Sequence, residues 1–205
     1  MTMFAPCSIG FNKAGEATVL STMKGTLAFL EASDIDLRSI TSNFGFPKDS
    51  AKNTLPRFGI TTTFVNQDNP NEFTKAVKSN TRVFFAESLG NPKLDVIDLK
   101  SISDASKKAK VPFIVDNTVA SPALLNPIEH GANIVIHSLT KYLTGNGTSI
   151  GGVIIDAGTF DWANGNFPEF TEPNPSYHGL NYHEALGNIA FIAKVRIEGL
   201  RDLGI

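Results

Sequence analysis

The runs Val111-Pro112-Phe113-Ile114-Val115-Asp116 and Ile134-Val135-Ile136-His137 decide the fold. Each is short, continuously apolar and ends on a polar residue. Two similar runs flank them, Val83-Phe84-Phe85-Ala86 on one side and Gly151 to Ile155 on the other. A strand with one wet face alternates apolar and polar side chains, so a continuous run needs cover on both faces. Asp98 to Ala109 supplies such cover. It reads as an amphipathic helix with Leu99, Ile102 and Ala109 inward and Lys107-Lys108 near its end. Apolar strands alternating with helices predict an α/β fold, a three-layer, mostly parallel sheet with right-handed crossovers.

Outward from this centre the signals weaken. Phe58 to Val65 is β-branched and aromatic and predicts a strand. Asn69-Pro70 predicts a helix start, with Phe73, Ala76 and Val77 on one face. Thr41 to Asn53, with Gly45 and Pro47, reads as loop, and Ala17 to Ala32 carries Leu20, Met23, Leu27 and Leu30 at helical spacing. Asn181 to Leu203 reads as one long helix, apolar nearly all the way round. Such a helix is buried on more than one side. It is therefore expected to expose apolar surface unless a partner subunit or further chain covers it.

The composition excludes several classes. With 205 residues, 41% hydrophobic, 19% charged and a net charge of −2, the chain is neither disordered nor an electrostatic nucleic-acid binder. No apolar run approaches the ~18 residues of a membrane span. The single cysteine, Cys7, forms no internal disulfide, which predicts a reducing, cytoplasmic setting. Met1 to Gly10 has neither a basic nor an apolar region of a secretory leader.

In open α/β sheets ligands bind beyond the carboxyl ends of the strands. That rule selects Glu87 to Pro92, Asp116-Asn117-Thr118, His137 to Lys141, and Thr144 to Ser149. Asp116 could pair with a protonated heterocycle nitrogen, although an isolated strand-end Asp more often caps a helix or binds metal. Lys141 in a partly dry pocket would serve as a nucleophile or Schiff-base former. A lone lysine is far more often a solvated surface residue, but Ser138 and Thr140 beside it offer two hydroxyls suited to a phosphate ester. His137 is as readily a packed residue as a catalytic one. The histidines lack zinc-ligand spacing with Cys7, so no metal site is expected. Gly145-Asn146-Gly147-Thr148 is not a Walker loop, and neither Ser88 nor Ser138 sits in a nucleophile elbow.

Taken together, Glu87-Ser88-Leu89-Gly90-Asn91-Pro92, Val115 to Thr118, His137 to Tyr142 and Gly145 to Gly152 resemble the Cys/Met-metabolism enzymes dependent on pyridoxal phosphate (PLP). The aromatic stretch from Phe160 to Phe170, then Pro175 to Gly179 and Glu184 to Gly187, is similar to the O-acetylhomoserine sulfhydrylase branch. The resemblance covers Leu55 to Ile205. It implies an aspartate-aminotransferase-like (type I) large domain, here incomplete. Residues 1–54 would form its divergent N-terminal part and residues 55–205 its PLP-binding core, with the small C-terminal domain absent.

By the same resemblance, Lys141 matches the lysine that holds PLP as a Schiff base, and Asp116 the carboxylate that keeps the pyridine nitrogen protonated. Asn91 matches the partner of the phenolic oxygen, Ser138 and Thr140 the phosphate hydroxyls, and Thr118 a residue packed near the ring. Phe44 falls where the family has a stacking tyrosine; it keeps the ring and loses the hydroxyl. The implied reaction is γ-replacement: Lys141 moves protons, acetate leaves O-acetylhomoserine, and sulfide adds to give homocysteine. The family assembles as homo-tetramers. Ser21-Thr22-Met23 is the nearest counterpart of the family's phosphate turn. The N-terminal arm and the carboxylate-binding arginine have no match, so the chain is expected to be a partial one. The alternatives are a catalytically inactive remnant that binds cofactor or pairs with a full-length subunit, and a cystathionine γ-synthase or methionine γ-lyase of the same family.

Overall fold

A computed structural model describes residues 2–5, 39–42, 55–91 and 93–201. The expected helix at Ala17–Ala32, Ser21-Thr22-Met23 and Phe44 lie outside the described residues. The strands among them are β1 (Thr2–Ala5), β2 (Ser39–Ser42), β3 (Thr61–Phe64), β4 (Val83–Glu87), β5 (Phe113–Asp116), β6 (Ile134–Ser138) and β7 (Gly152–Asp156). The chain divides into two compact units, Asp36–His137 and Met1–Ile35 with Ser138–Ile205. Among the described residues no helix is long and apolar enough to cross a membrane.

The first unit is built on parallel pairing in the order β6-β5-β4-β2-β3. Its centre is as dry as continuous apolar runs require. Val83, Phe84, Phe85, Ala86, Phe113, Ile114, Val115, Ile134, Val135 and Ile136 are all buried. Helix α1 (Asn71–Ala76) buries Phe73, whose ring lies 5.4 Å from that of Phe84. Helix α2 (Leu99–Ala109) starts where Asp98 accepts the Ser101 N–H at 3.0 Å and stops at Lys110, which adopts the left-handed conformation. It buries Leu99, Ile102, Ser103, Ala105 and Ser106; Ala109, expected inward, is only half-buried. Serines can face inward because they are bonded: Ser103 Oγ donates to the Gly131 carbonyl at 2.9 Å and Ser106 Oγ to that of Ser103 at 2.8 Å. Gly131 has a φ of +92°, and a Cβ there would strike Ser103.

Asn117 ties the strand ends together. It is fully buried, and its side-chain oxygen accepts the Ser88 hydroxyl at 2.6 Å. Its amide nitrogen donates to the carbonyls of Ser121 and Leu125 at 3.2 and 2.8 Å. Its backbone N–H donates to Ile136 at 2.9 Å. One side chain thus links the segments after β4 and β5, while its own backbone holds β6.

The second unit pairs β1 with β7 antiparallel, Thr2 opposite Ile155 and Ala5 opposite Gly152. Its core is aromatic. Trp162 stacks on Phe191 with centroids 5.0 Å apart and on Phe170 at 4.4 Å, and packs edge-on with Phe167 at 5.1 Å. The stretch expected to be one helix from Asn181 to Leu203 is broken. Helix Tyr182–Leu186 ends at Gly187, whose φ is +53°; a 3-10 turn, Gly187–Ile189, and helix Ala190–Lys194 follow, and Val195–Arg201 is π-helical. Phe191, Ile192 and Val195 are buried, and among the described side chains of this segment Ile189 is the large apolar one that is exposed. Among the described residues the broad apolar exposure expected of this segment is reduced: Trp162 and Phe170 of the aromatic stretch pack on Phe191, while the side chains of Leu200 and Leu203 lie outside the described residues.

A buried ion pair completes this unit. Lys194 is 2% exposed and its Nζ lies 2.6 Å from Glu198 Oε2. The second Glu198 oxygen accepts the Tyr182 hydroxyl and the Asn174 amide, both at 2.8 Å. Full hydrogen bonding is what makes a desolvated pair tolerable.

Two stability changes follow from this packing. Asn117→Ala removes the short Ser88 bond and the amide donors to Ser121 and Leu125, leaving Ser88 only its 3.4 Å bond to the Asp116 carbonyl, and is expected to cost about 1–3 kcal/mol. Phe191→Ala empties the centre of the aromatic stack and is expected to cost about 3–5 kcal/mol. Urea unfolding of both variants against the parent chain measures the losses, and a loss under about 1 kcal/mol for either would contradict the role assigned to it.

Candidate cofactor site

The sequence-selected residues fall into two clusters, one in each compact unit. The first lies at the carboxyl ends of β4 and β5. Glu87 and Asp116 are register partners in adjacent parallel strands. The Thr118 N–H donates to Asp116 Oδ1 at 2.9 Å. Burial pushes the Asp116 carboxyl above the usual range, while the Thr118 hydroxyl and N–H pull it back toward the anion. A protonated ring nitrogen beside Asp116 would offset the cost of burying that charge, so the site suits a pyridinium.

Asn91 sits in the loop after β4. The loop is folded on itself: the Gly90 N–H donates to the Asp95 carbonyl at 2.9 Å, the Leu94 N–H donates to Gly90 at 2.7 Å, and Leu89 bridges Val96. Asn91 is exposed, and its N–H donates to Glu87 Oε2 at 3.3 Å. His137, at the end of β6, is 2% exposed. Burial lowers its imidazole, against the Asn117 backbone, so the ring is neutral at pH 7.

The second cluster begins where β6 ends. Ser138 and Thr140 are buried, and Lys141 is half-buried. Leu139–Leu143 forms a π-helical turn, and Lys141 departs from helical geometry with φ −94° and ψ −120°. Single π turns are frequent at functional sites because they re-aim one side chain within a regular element. Among the described residues the Lys141 amine has no ion-pair or hydrogen-bond partner. Thr140 Oγ1 accepts the Gly151 N–H at 3.1 Å and lies 3.4 Å from the Gly151 carbonyl, and the Leu139 N–H donates to the same carbonyl at 2.9 Å. The Thr140 hydroxyl is therefore engaged with Gly151, and a phosphate would have to share it. A buried serine, a threonine and a lysine amine within four residues suit a phosphate ester carrying an aldehyde, as PLP does.

Sequence reasoning missed Glu87 as a chemical group. Its signal was present only as the polar residue ending an apolar run. The pairing with Asp116 arises from strand register, which spacing along the chain does not contain.

Comparison with known proteins identifies the family of the chain. The profile of the Cys/Met metabolism PLP-dependent enzymes matches residues 13–188, reaching well before Leu55. An O-acetyl-L-homoserine sulfhydrylase of Leptospira meyeri is 55% identical over 159 residues, 74% of this chain and 36% of that protein. A homocysteine synthase of Schizosaccharomyces pombe is 43% identical over 92% of this chain and 46% of its own length. Among solved structures, a Campylobacter jejuni chain assigned as an O-acetylhomoserine (thiol)-lyase, carrying N'-pyridoxyl-lysine-5'-monophosphate, superposes with a TM-score of 0.79 at 35% identity. The match covers 88% of this chain and 46% of that one. The chain thus spans less than half the length of these relatives. The fold is that of the type I PLP enzymes, with mostly parallel strands and helices around them. With a profile match across most of its length and a close structural likeness, the chain belongs to the Cys/Met-metabolism PLP-dependent enzymes.

Proposed function

We propose that the protein serves γ-replacement on O-acetylhomoserine, in which sulfide displaces acetate and yields homocysteine for methionine biosynthesis. The observation that carries this reading is Lys141 on a kinked turn directly after buried Ser138 and Thr140. Its support is the sulfhydrylase and homocysteine synthase relatives.

In this reading Lys141 holds PLP through its amine, and Ser138 and Thr140 contact the phosphate, Thr140 sharing its hydroxyl with Gly151. Asp116 pairs with the protonated ring nitrogen, and its Thr118 hydrogen bond keeps the carboxylate oriented. Asn91 contacts the phenolic oxygen, Thr118 packs near the ring, and Phe44 stacks on it. Bound there, PLP supplies an electron sink for the substrate α carbon. Lys141 takes and returns protons at the substrate carbons, a role its half-buried amine allows. Residues 1–54 belong to the N-terminal part of the large domain and 55–205 to its core. The protein works in the cytoplasm, which its single Cys7 suits, as part of a homo-oligomer.

Cofactor titration followed by visible absorption tests the binding step. The parent chain should develop the band of lysine-bound PLP, Lys141→Ala should not, and Asp116→Asn should weaken affinity roughly 10- to 100-fold. A band that survives Lys141→Ala would overturn the anchor. Homocysteine formation from O-acetylhomoserine and sulfide then tests turnover. Cofactor uptake without turnover supports the binding-remnant reading, and turnover of O-succinylhomoserine with cysteine supports a cystathionine synthase.

A further inference from the structure

Two carboxyl groups meet at the ends of β4 and β5, and only one of them has a place in the reading above. Glu87 and Asp116 are register partners on strands that pair in parallel. In such a pair the partnered side chains project from the same face, with the strands about 4.8 Å apart. Two carboxylates on neighbouring strands of one face, in a partly dry site, do not both ionise without repulsion. The pair therefore retains a proton, and the local donors decide where it sits.

Asp116 accepts two bonds from Thr118, one from the N–H at 2.9 Å and one from the hydroxyl. Glu87 accepts the Asn91 N–H at a longer 3.3 Å. Donors stabilise the charged form of the group they bind, so the anion belongs on Asp116 and the proton on Glu87. The charged groups acting on Glu87 are Asp116 from β5 and Asp95 from the loop, and both oppose its ionisation. We propose that Glu87 is a positioning residue that keeps a proton beside Asp116, leaving Asp116 as the single anion of the pair, while the same carboxyl fixes the loop that presents Asn91. The functional part of the proposal rests on the assignment of Asp116 and Asn91 as PLP contacts.

Burial raises both carboxyls; the two Thr118 donors pull Asp116 back toward the anion, against a single N–H from Asn91 on Glu87. Burial, reinforced by the charge of Asp116, pushes Glu87 up to about 8, against the Asn91 N–H. The loop is built to hold this arrangement. Gly90 approaches Asp95 so closely that a Cβ would strike the Asp95 carboxylate.

The test needs no cofactor. Carbon-13 labelling of the glutamate and aspartate carboxyls lets NMR follow each titration in the 205-residue chain. One glutamate carboxyl is expected to titrate with a midpoint near 8. The signal should vanish in Glu87→Gln, and in Asp116→Asn its midpoint should fall by ~1 pH unit. The linkage gives a second readout. Glu87 binds a proton in the folded chain up to about 8 but releases it near 4.5 when unfolded, so its contribution makes stability fall as pH rises between those values. Glu87→Gln should flatten that slope in urea unfolding. A Glu87 titration in the ordinary carboxylate range, or a midpoint near 8 that survives Glu87→Gln and belongs to Asp116, overturns the assignment. If Glu87→Gln fails to fold, the Asp116→Asn shift decides by itself. PLP titration of the same samples keeps the two readings apart: failure of the parent chain to bind PLP refutes the cofactor assignment, while the NMR result still decides which carboxyl holds the proton.

Discussion

The Asn117 side chain is the constraint on which the strand ends depend. Parallel strands stop without a hairpin to join them, so their last peptide groups need partners from elsewhere. Asn117 has an acceptor and two donors on one rigid amide, and all of them are used. Because its backbone also pairs with Ile136, the ends of β4, β5 and β6 are held at one level. Asp116 precedes it and Thr118 follows it, so their separation from Glu87 is set by an amide that is itself buried. An aspartate in its place would lose two donors and bury a charge; a leucine would leave the Ser88 hydroxyl only its longer 3.4 Å bond to the Asp116 carbonyl.

Much of the first unit was legible in the sequence because a strand buried on both faces writes its burial directly into composition. Val83 to Ala86, Phe113 to Val115 and Ile134 to Ile136 contain no polar residue to mislead. The helix expected from Asp98 to Ala109 was equally readable, and Asp98 itself proves to be its cap. Short strands were not. Ser39–Ser42 is mostly polar, and its second half falls in the loop expected from Thr41, while β1 has only four residues in which to show a period. The strand expected at Phe58–Val65 shrinks to Thr61–Phe64 behind a 3-10 turn. The long C-terminal helix failed for a different reason. Apolar residues on every side can mean a fully covered helix or a chain that changes direction, and Gly187 selects the second. Lys194 is buried because Glu198, one turn on, pairs with it and is itself held by Tyr182 and Asn174 from farther back in the chain.

The candidate site shows the same division. Lys141, Asp116, Ser138 and Thr140 stood out because reactive residue types clustered at strand ends. What the residues already touch was invisible. The Thr140 hydroxyl turns out to hold Gly151, so the residue that was to bind a phosphate also sets the entry to β7. Glu87 was passed over because an ionisable residue at a strand end is unremarkable until its neighbour across the sheet is known. Both cases involve pairs far apart in sequence, and both change the chemistry assigned to a residue whose identity was never in doubt.

The clasp between Thr140 and Gly151 has an evolutionary consequence. It closes a loop in which Tyr142 to Ile150 are all exposed. Loop-closure entropy rises slowly with length, so residues gained or lost inside the clasp cost little. A residue gained or lost between Ser138 and Thr140 would instead rotate Lys141 about the turn and separate the hydroxyl from Gly151. Length variation among descendants of this chain should therefore accumulate on the solvent side of the clasp, while the spacing from strand to lysine stays invariant even where the intervening residues change.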